Sequence, residues 1–278
     1  MTELNSIVFP AALLIALAID HYLGEPPTRW HPVVWMGNFL NRLAPFVLPD
    51  SSKPPENRDL NAFGLGALVW LSGVAIVLIV SCGLQWAILQ LPAVLAVILL
   101  GVALKPMLAF AMLRSEVQAV EDALSVSLEA GRERLGWLVS RDTASLSASE
   151  VRESAIESLA ENLNDSVVAP IFWFVIFGLP GAALYRFANT ADAMWGYKGL
   201  RQGKNWEWAG KWAARADDVL SWLPARITAL LLVLVTRGGH LKFLADEARK
   251  TPSPNSGWPM AAMALALGVC LRKPGVYA

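Results

Sequence analysis

The sequence predicts an all-α, polytopic integral membrane protein, with about 4–6 membrane segments, some re-entrant, and an amphipathic helical region at the membrane surface. Of the 278 residues, 55% are hydrophobic and 17% charged, against about 45–50% and about 25% in soluble domains. Mean hydropathy is +0.44. The apolar residues are concentrated: 62–82 is a run of 21 positions without a charge, and 86–104 is another of 19. About 20 helical residues cross a hydrocarbon core about 30 Å thick. Short strands with turn signals between them would break such runs, and these do not break that way.

Ile7–Ile19 is a 13-residue apolar stretch ended by Asp20, short for a full span and suited to a tilted or re-entrant helix. The proline-broken segments GEPP and HPVVWMG follow within 24–37, and 50–59 is a polar loop. Only Gly83, Leu84 and Gln85 separate the two long runs, so the turn of a tight helical hairpin is expected there. Residues 105–166 hold 6 Lys/Arg and 11 Asp/Glu. Leu113, Val117, Val120, Leu124 and Leu128 recur in them at helical spacing, as in an amphipathic surface helix. The chain is read as one membrane domain, 1–278, with 105–166 as a polar helical insertion facing the cytoplasm.

Three further apolar stretches are interrupted. Pro170 and Gly178-Leu179-Pro180-Gly181 interrupt 167–185, where two half-helices joined at that turn fit as well as one continuous span; Pro224 and Arg226 lie inside 219–235, and 259–271 is short. The loops 20–61, 105–166 and 186–218 carry 4, 6 and 6 Lys/Arg. A re-entrant 167–185 keeps all three on the cytoplasmic side, as the positive-inside rule prefers.

Charge and composition also exclude. Lys+Arg and Asp+Glu are both 23, so no net field recruits nucleic acid. Cys82 and Cys270 sit in apolar runs and read as small core residues rather than a disulfide pair. His21, His31 and His240 lie far apart and no zinc-ligand spacing exists. The first residues, MTELNS, have no positive n-region, so no cleaved signal peptide is expected.

Four polar constellations stand out. In RESAIESLAENLNDSVVAP, which opens on Arg152, the residues Glu153, Glu157, Glu161 and Asp165 lie four apart on one helical stripe. Such a stripe is either a solvated acidic face or a hard-cation site, since Mg²⁺ takes one or two carboxylates plus substrate phosphates. In YRFANTADAMWGYK, the residues Arg186, Asn189, Thr190, Asp192 and Lys198 either cap a helix start or bind substrate. In ARADDVLSWLPARITALL, Arg215, Asp217 and Asp218 precede an apolar run that contains Arg226. A membrane arginine costs about 2.5–3.5 kcal/mol on insertion scales, so Arg226 needs a partner, either Asp217 or Asp218 or an anionic substrate group. ARKTPSPNSGWP, with Asn255, is an interfacial loop or part of a site, and His31 beside Pro32 is a weak candidate by itself. No Walker-type phosphate loop occurs.

In order along the chain, D-x-x-x-G-E-P-P at 20–27, HPVVWMG at 31–37, SRDTASLS at 140–147, the acidic segment, NTADAMWGYK at 189–198, ARADDVLSWLPARITALL and PSPNSGWPMAAMALALG at 252–268 together resemble the adenosylcobinamide-phosphate synthase family of cobalamin biosynthesis (CobD/CbiB). Ser140, Ser166 and Thr251 depart from that family's usual pattern, which also tends to continue beyond Ala278. The resemblance implies a membrane ligase that uses ATP and Mg²⁺ to join aminopropanol, free or O-phosphorylated, to a propionate of adenosylcobyric acid, a corrinoid. Activating a carboxylate needs metal-bound carboxylates, cations for phosphate and a base for the ammonium nucleophile.

On that reading Glu157, Glu161 and Asp165 take Mg²⁺, and Asp192, Asp217 and Lys198 are catalytic. His31, Arg152, Arg186, Asn189, Arg215, Arg226 and Asn255 bind substrate or phosphate. The expected partners are the lipid bilayer, the corrinoid and a small amine, not nucleic acid. Self-association or association with other corrinoid-pathway enzymes fits such a role, at the inner (cytoplasmic) membrane. A corrinoid-handling transporter and a catalytically silent regulator resembling AmpE are the alternatives.

Overall fold

The computed structural model describes residues 2–48, 58–201, 203–236 and 241–272. Most of the expected 50–59 loop therefore lies outside the described residues, as does His240. Among the described residues there are twelve α-helices and one two-stranded hairpin. Three apolar stretches are long enough to cross a membrane, Leu60–Leu89, Ala93–Val126 and Lys211–Val235, and Ile7–Leu23 and Gly257–Leu267 are shorter apolar helices. The protein is all-α and polytopic, as its apolar runs predict. Its chain folds as two compact units, 1–108 with 169–220, and 109–168 with 221–278.

In the first unit, α1 (Thr2–Leu23) packs along α4 (Ala93–Leu104). Val8, Ala12 and Ala16 meet Ala96, Leu100 and Leu104 in one apolar layer. Small side chains let membrane helices approach closely, where dispersion rather than water exclusion drives packing. Helix α3 (Leu60–Leu89) packs on α2 (Pro32–Val47) and α9 (Leu179–Trp195). There Leu40, Trp70, Phe187 and Trp195 form a second core.

The turn between the long helices falls elsewhere than expected. Helix α3 continues through Gly83, Leu84 and Gln85 and stops at Gln90, with Pro92 before α4. A lone glycine is tolerated in a helix that lipid forces to satisfy its own backbone, whereas proline removes an N–H and fixes the break. Both cysteines are free and exposed rather than buried. Cys82 lies on the outward face of α3, because the buried Ser81 takes the inward position beside it.

Of the two readings of 167–185, the structure takes the pair of half-helices, joined at Gly178. Helix α8 (Ala169–Phe177) ends at Gly178, whose φ of 69° suits glycine. Helix α9 folds back onto α8, and the Gly178 elbow is pinned where the Leu179 amide donates to Gln85 Oε1 at 2.7 Å. Pro170 breaks nothing: a π-turn at Asn164–Val168 precedes it, and the Ser166 carbonyl that a helical residue 170 would have bonded accepts from the Ala109 amide at 3.0 Å.

In the second unit, α5 (Phe110–Val126) buries Leu113, Val120 and Leu124, the face its spacing predicts. These pack with α6 (Leu128–Leu135) and α7 (Ala148–Leu163) around Leu135, Leu146 and Val151. Helix α7 starts with a reciprocal capping box between Ser147 and Glu150. Ala229 and Val233 of α10 (Lys211–Val235) join α11 (Leu241–Ala248) and α12 (Gly257–Leu267) in a separate core.

Candidate functional site

The polar groups form three clusters, two in the first unit and one in the second. At the ends of α1 and α4, the Lys105 ammonium is 3% exposed. It lies 3.1 Å from Asp20 Oδ1 and 2.7 Å from Glu25 Oε1, and donates to the Leu108 carbonyl. A lysine at the end of an apolar run must find such counter-charges or leave the core.

His31 completes this cluster. The Val33 amide donates to its Nδ1 at 3.3 Å, so the proton sits on Nε2, which donates to Glu25 Oε2 at 3.1 Å. Both ring nitrogens are thereby engaged, and His31 acts as the N-cap of α2. Burial pushes the Glu25 carboxyl up, but hydrogen bonds from His31 and Lys105 and the charge of Lys105 outweigh it and hold the group below its ordinary 4.5.

The second cluster lies on α9 and the start of α10. Asn189 donates to Asp217 Oδ1 at 3.5 Å, and Thr190 returns its hydroxyl to the Arg186 carbonyl. The helix-cap reading of Asn189 and Thr190 fails, since α9 already begins at Leu179, behind Gly178. Asp192 folds against the α9 C-terminus, where Gly196 leaves space that a Cβ would take from its carboxylate. Exposed Lys198 acts electrostatically on Asp218. Arg215 lines a separate cavity. Two residues along a helix is about 200°, which separates it from Asp217.

The third cluster is on α7. Glu153 and Glu157 are buried, and each has a guanidinium. Arg272 meets Glu153 at 3.1 Å, and Arg141 Nη2 meets Glu157 at 2.9 Å and Ser154 Oγ at 2.6 Å. The Arg141 Nε and Nη1 are buried with no acceptor among the described residues. Glu161 and Asp165 follow, half-buried, Asp165 within the π-turn. Among the described residues no three His, Cys, Asp or Glu side chains gather to hold a metal ion. Glu157, Glu161 and Asp165 thus form no three-carboxylate cage, and Glu157 is held by Arg141 instead.

Three other predicted site residues, Arg152, Arg226 and Asn255, are engaged in this unit. Arg152 forks onto Glu121 with both contacts at 2.9 Å, half-exposed on the outer side of α7. Arg226 donates to Asn255 Oδ1 and to the Trp222 and Pro254 carbonyls, between the rings of Trp222 and Trp258. It thus finds its partner in Asn255, not in Asp217 or Asp218. Eight or nine helical residues separate it from those two, about 12–13 Å, beyond side-chain contact. Buried Asn164 accepts from Thr228 at 3.0 Å.

The sequence reading missed Asp20, Glu25, Lys105, Arg141 and Arg272 as members of these clusters. The signals were present: Lys105 follows an apolar run, Asp20 opens one of the motifs and Arg141 is the second residue of another. An apolar cleft of about 280 Å³ beside α3, lined by Trp35, Phe39, Val77, Val80, Leu84 and Phe187 among others, carries no charge.

Fold and clusters together define a polytopic helical membrane protein that buries charge-bearing side chains against partners of opposite type. The chain belongs to the CobD/CbiB family: the family model described as CobD/Cbib protein matches residues 13–278. A probable cobalamin biosynthesis protein CobD of Methanothermobacter thermautotrophicus is 39% identical, over 96% of this chain and 85% of that protein. The cobalamin biosynthesis protein CobD of Chromobacterium violaceum is 41% identical, over 96% and 82%. The probable CobD of Methanocaldococcus jannaschii is 35% identical, over 96% and 87%. No solved structure matches the chain.

Proposed function

We propose that this chain is an enzyme of cobalamin biosynthesis. It is read as an ATP-dependent ligase joining aminopropanol or its O-phosphate to a propionate of adenosylcobyric acid. The site is assigned to the cytoplasmic face of the inner membrane. The observation that carries the reading is the polar face of α7 with its π-turn, in a chain matching the family over 13–278. A π-turn in a helix often marks a functional site, and this one presents Asp165 one turn beyond Glu161.

The donor set suits Mg²⁺ brought in on ATP, because hard oxygen ligands from one or two carboxylates are completed by phosphates and water. Glu161 and Asp165 would hold it, with Glu157 kept on Arg141. When bound, the metal and ATP supply the phosphoryl group that activates the propionate and neutralise its charge. The unspent Nε and Nη1 donors of Arg141 suit a carboxylate or phosphate oxygen.

Asp192 and Asp217 are the carboxylates assigned to take the proton from the attacking ammonium, with Asn189 orienting Asp217. Lys198 and Arg186 are assigned to substrate phosphate. Arg226 and Asn255 fix the 252–258 loop against α10.

Glu161→Gln and Asp165→Asn, expressed at normal level and assayed for amide product, should each lose activity that added Mg²⁺ partly restores. Asp192→Asn should lose roughly 10²-fold, as removing a general base does. Full activity in all three refutes the assignment.

A further inference from the structure

Arg58, Lys211 and Arg215 converge on one cavity of about 340 Å³, whose other walls are Leu60, Phe63 and Trp208. Arg58 stands just before α3, and Lys211 and Arg215 are one turn apart at the start of α10. Both helices are apolar and long enough to cross a membrane. The three cations therefore sit where apolar spans begin, the depth at which phosphate headgroups and interfacial Trp are found.

Counter-charge is scarce there. No carboxylate lines the cavity. Asp59, next to Arg58, is turned to cap α3 through the Ala62 amide at 2.9 Å. Glu207 approaches Lys211 only to 3.8 Å. The Lys211 ammonium lies 3.9 Å from the centre of the Trp208 ring, which holds it without neutralising it. Three cations held together repel one another, and an anion between them removes that cost. Guanidinium forks match phosphate oxygens in pairs, and an ammonium serves as a point charge beside them.

We propose that this cavity is a phosphate-binding site, built from other residues than the Asn189–Asp217 cluster. Arg58 and Arg215 grip the phosphate oxygens, Lys211 completes the charge, and Leu60, Phe63 and Trp208 receive the apolar part of the ligand. The ligand class is a phosphate ester with an adjoining apolar group, from one of two sources. One is an anionic phospholipid entering from the bilayer, and the other is a water-soluble phosphate compound. The site goes beyond the ligation reading, and its test needs no turnover.

The full chain, purified in a neutral detergent, is titrated calorimetrically with dihexanoyl phosphatidylglycerol and, separately, with inorganic pyrophosphate. Dihexanoyl phosphatidylcholine is the zwitterionic control. Saturable binding of at least one anionic probe is expected, weakened by added salt and at least tenfold weaker in Arg58→Gln/Arg215→Gln. Phosphatidylglycerol alone names the lipid source, and pyrophosphate alone the soluble one.

Both arginines are exposed, so the variant should unfold at the wild-type temperature. Should it not fold, Arg58→Lys/Arg215→Lys keeps the charge, loses the fork and should still bind several-fold more weakly. The proposal is overturned if wild type binds neither anion, binds phosphatidylcholine equally well, or is matched in affinity by the variants.

Discussion

Lys105→Met takes away the cation that faces both Asp20 and Glu25, and the cost can be worked from the geometry. The ammonium is 3% exposed, and its partners' oxygens stand at 3.1 and 2.7 Å. His31 does not take its place, because its Nε2 is already engaged with Glu25 Oε2 at 3.1 Å and its Nδ1 with the Val33 amide. The cluster would lose the ammonium that stands against both carboxylates inside the unit. Removing one partner of a buried pair costs about 3–5 kcal/mol, because it strands an unmatched charge. At roughly 2–4 °C per kcal/mol, the unfolding midpoint of the detergent-solubilised protein should drop by about 10 °C, read by tryptophan fluorescence. Asp20→Asn/Lys105→Met removes both charges and should recover part of the loss, a coupling of about 1–3 kcal/mol. A Lys105→Met midpoint within about 2 °C of wild type, or strict additivity in the double variant, would refute the reasoning.

The acid limb of stability should report Glu25. Its folded-state pKa lies below its ordinary value, so its contribution is fully present above 4.5 and disappears as pH falls through the lowered value. A melting series from pH 7 to 3 should be flat above about pH 5 and fall below it, with a shallower fall in Glu25→Gln. Gly196→Ala places a Cβ on the Asp192 carboxylate and should cost about 1–3 kcal/mol, but less in an Asp192→Ala background, as melting of the four proteins would show. Arg141→Met leaves Glu157, which is 7% exposed, without its guanidinium. It should lose about 3 kcal/mol, partly restored by Glu157→Gln in the same melting assay.

The fold was largely legible because lipid leaves little choice. An uncharged run of 21 residues must be a helix that satisfies its own backbone, and α3 is one. The register of its end was not legible. Gly83 looked like a turn and Pro92 like part of the next span, yet proline's missing N–H is the stronger break. The face of α5 followed from its 3.6-residue spacing, whereas Gly-Leu-Pro-Gly allowed the Gly178 elbow and a continuous span alike.

The clusters were only half visible. The α7 stripe could be read from its four-residue period, because both ends of that pattern lie on one helix. Its guanidinium partners could not, since Arg141 meets Glu157 from 16 positions away and Arg272 meets Glu153 from 119. Charge pairing across such separations is set by tertiary packing, which no local period records. Arg226 shows the same difficulty. Its need for a partner was evident from its place in an apolar run, and the partner proved to be Asn255, 29 residues on, rather than a nearby carboxylate.

The ligation reading is tested most directly by turnover. Purified, detergent-solubilised protein would receive adenosylcobyric acid, ATP, Mg²⁺ and either aminopropanol or its O-phosphate, with the corrinoid read by mass. The account predicts a product heavier by the condensed amine, formed only when ATP is present, and the mass names which amine is used. Well-folded protein that forms no amide with either amine, or that moves corrinoid across vesicle membranes without consuming ATP, would contradict it.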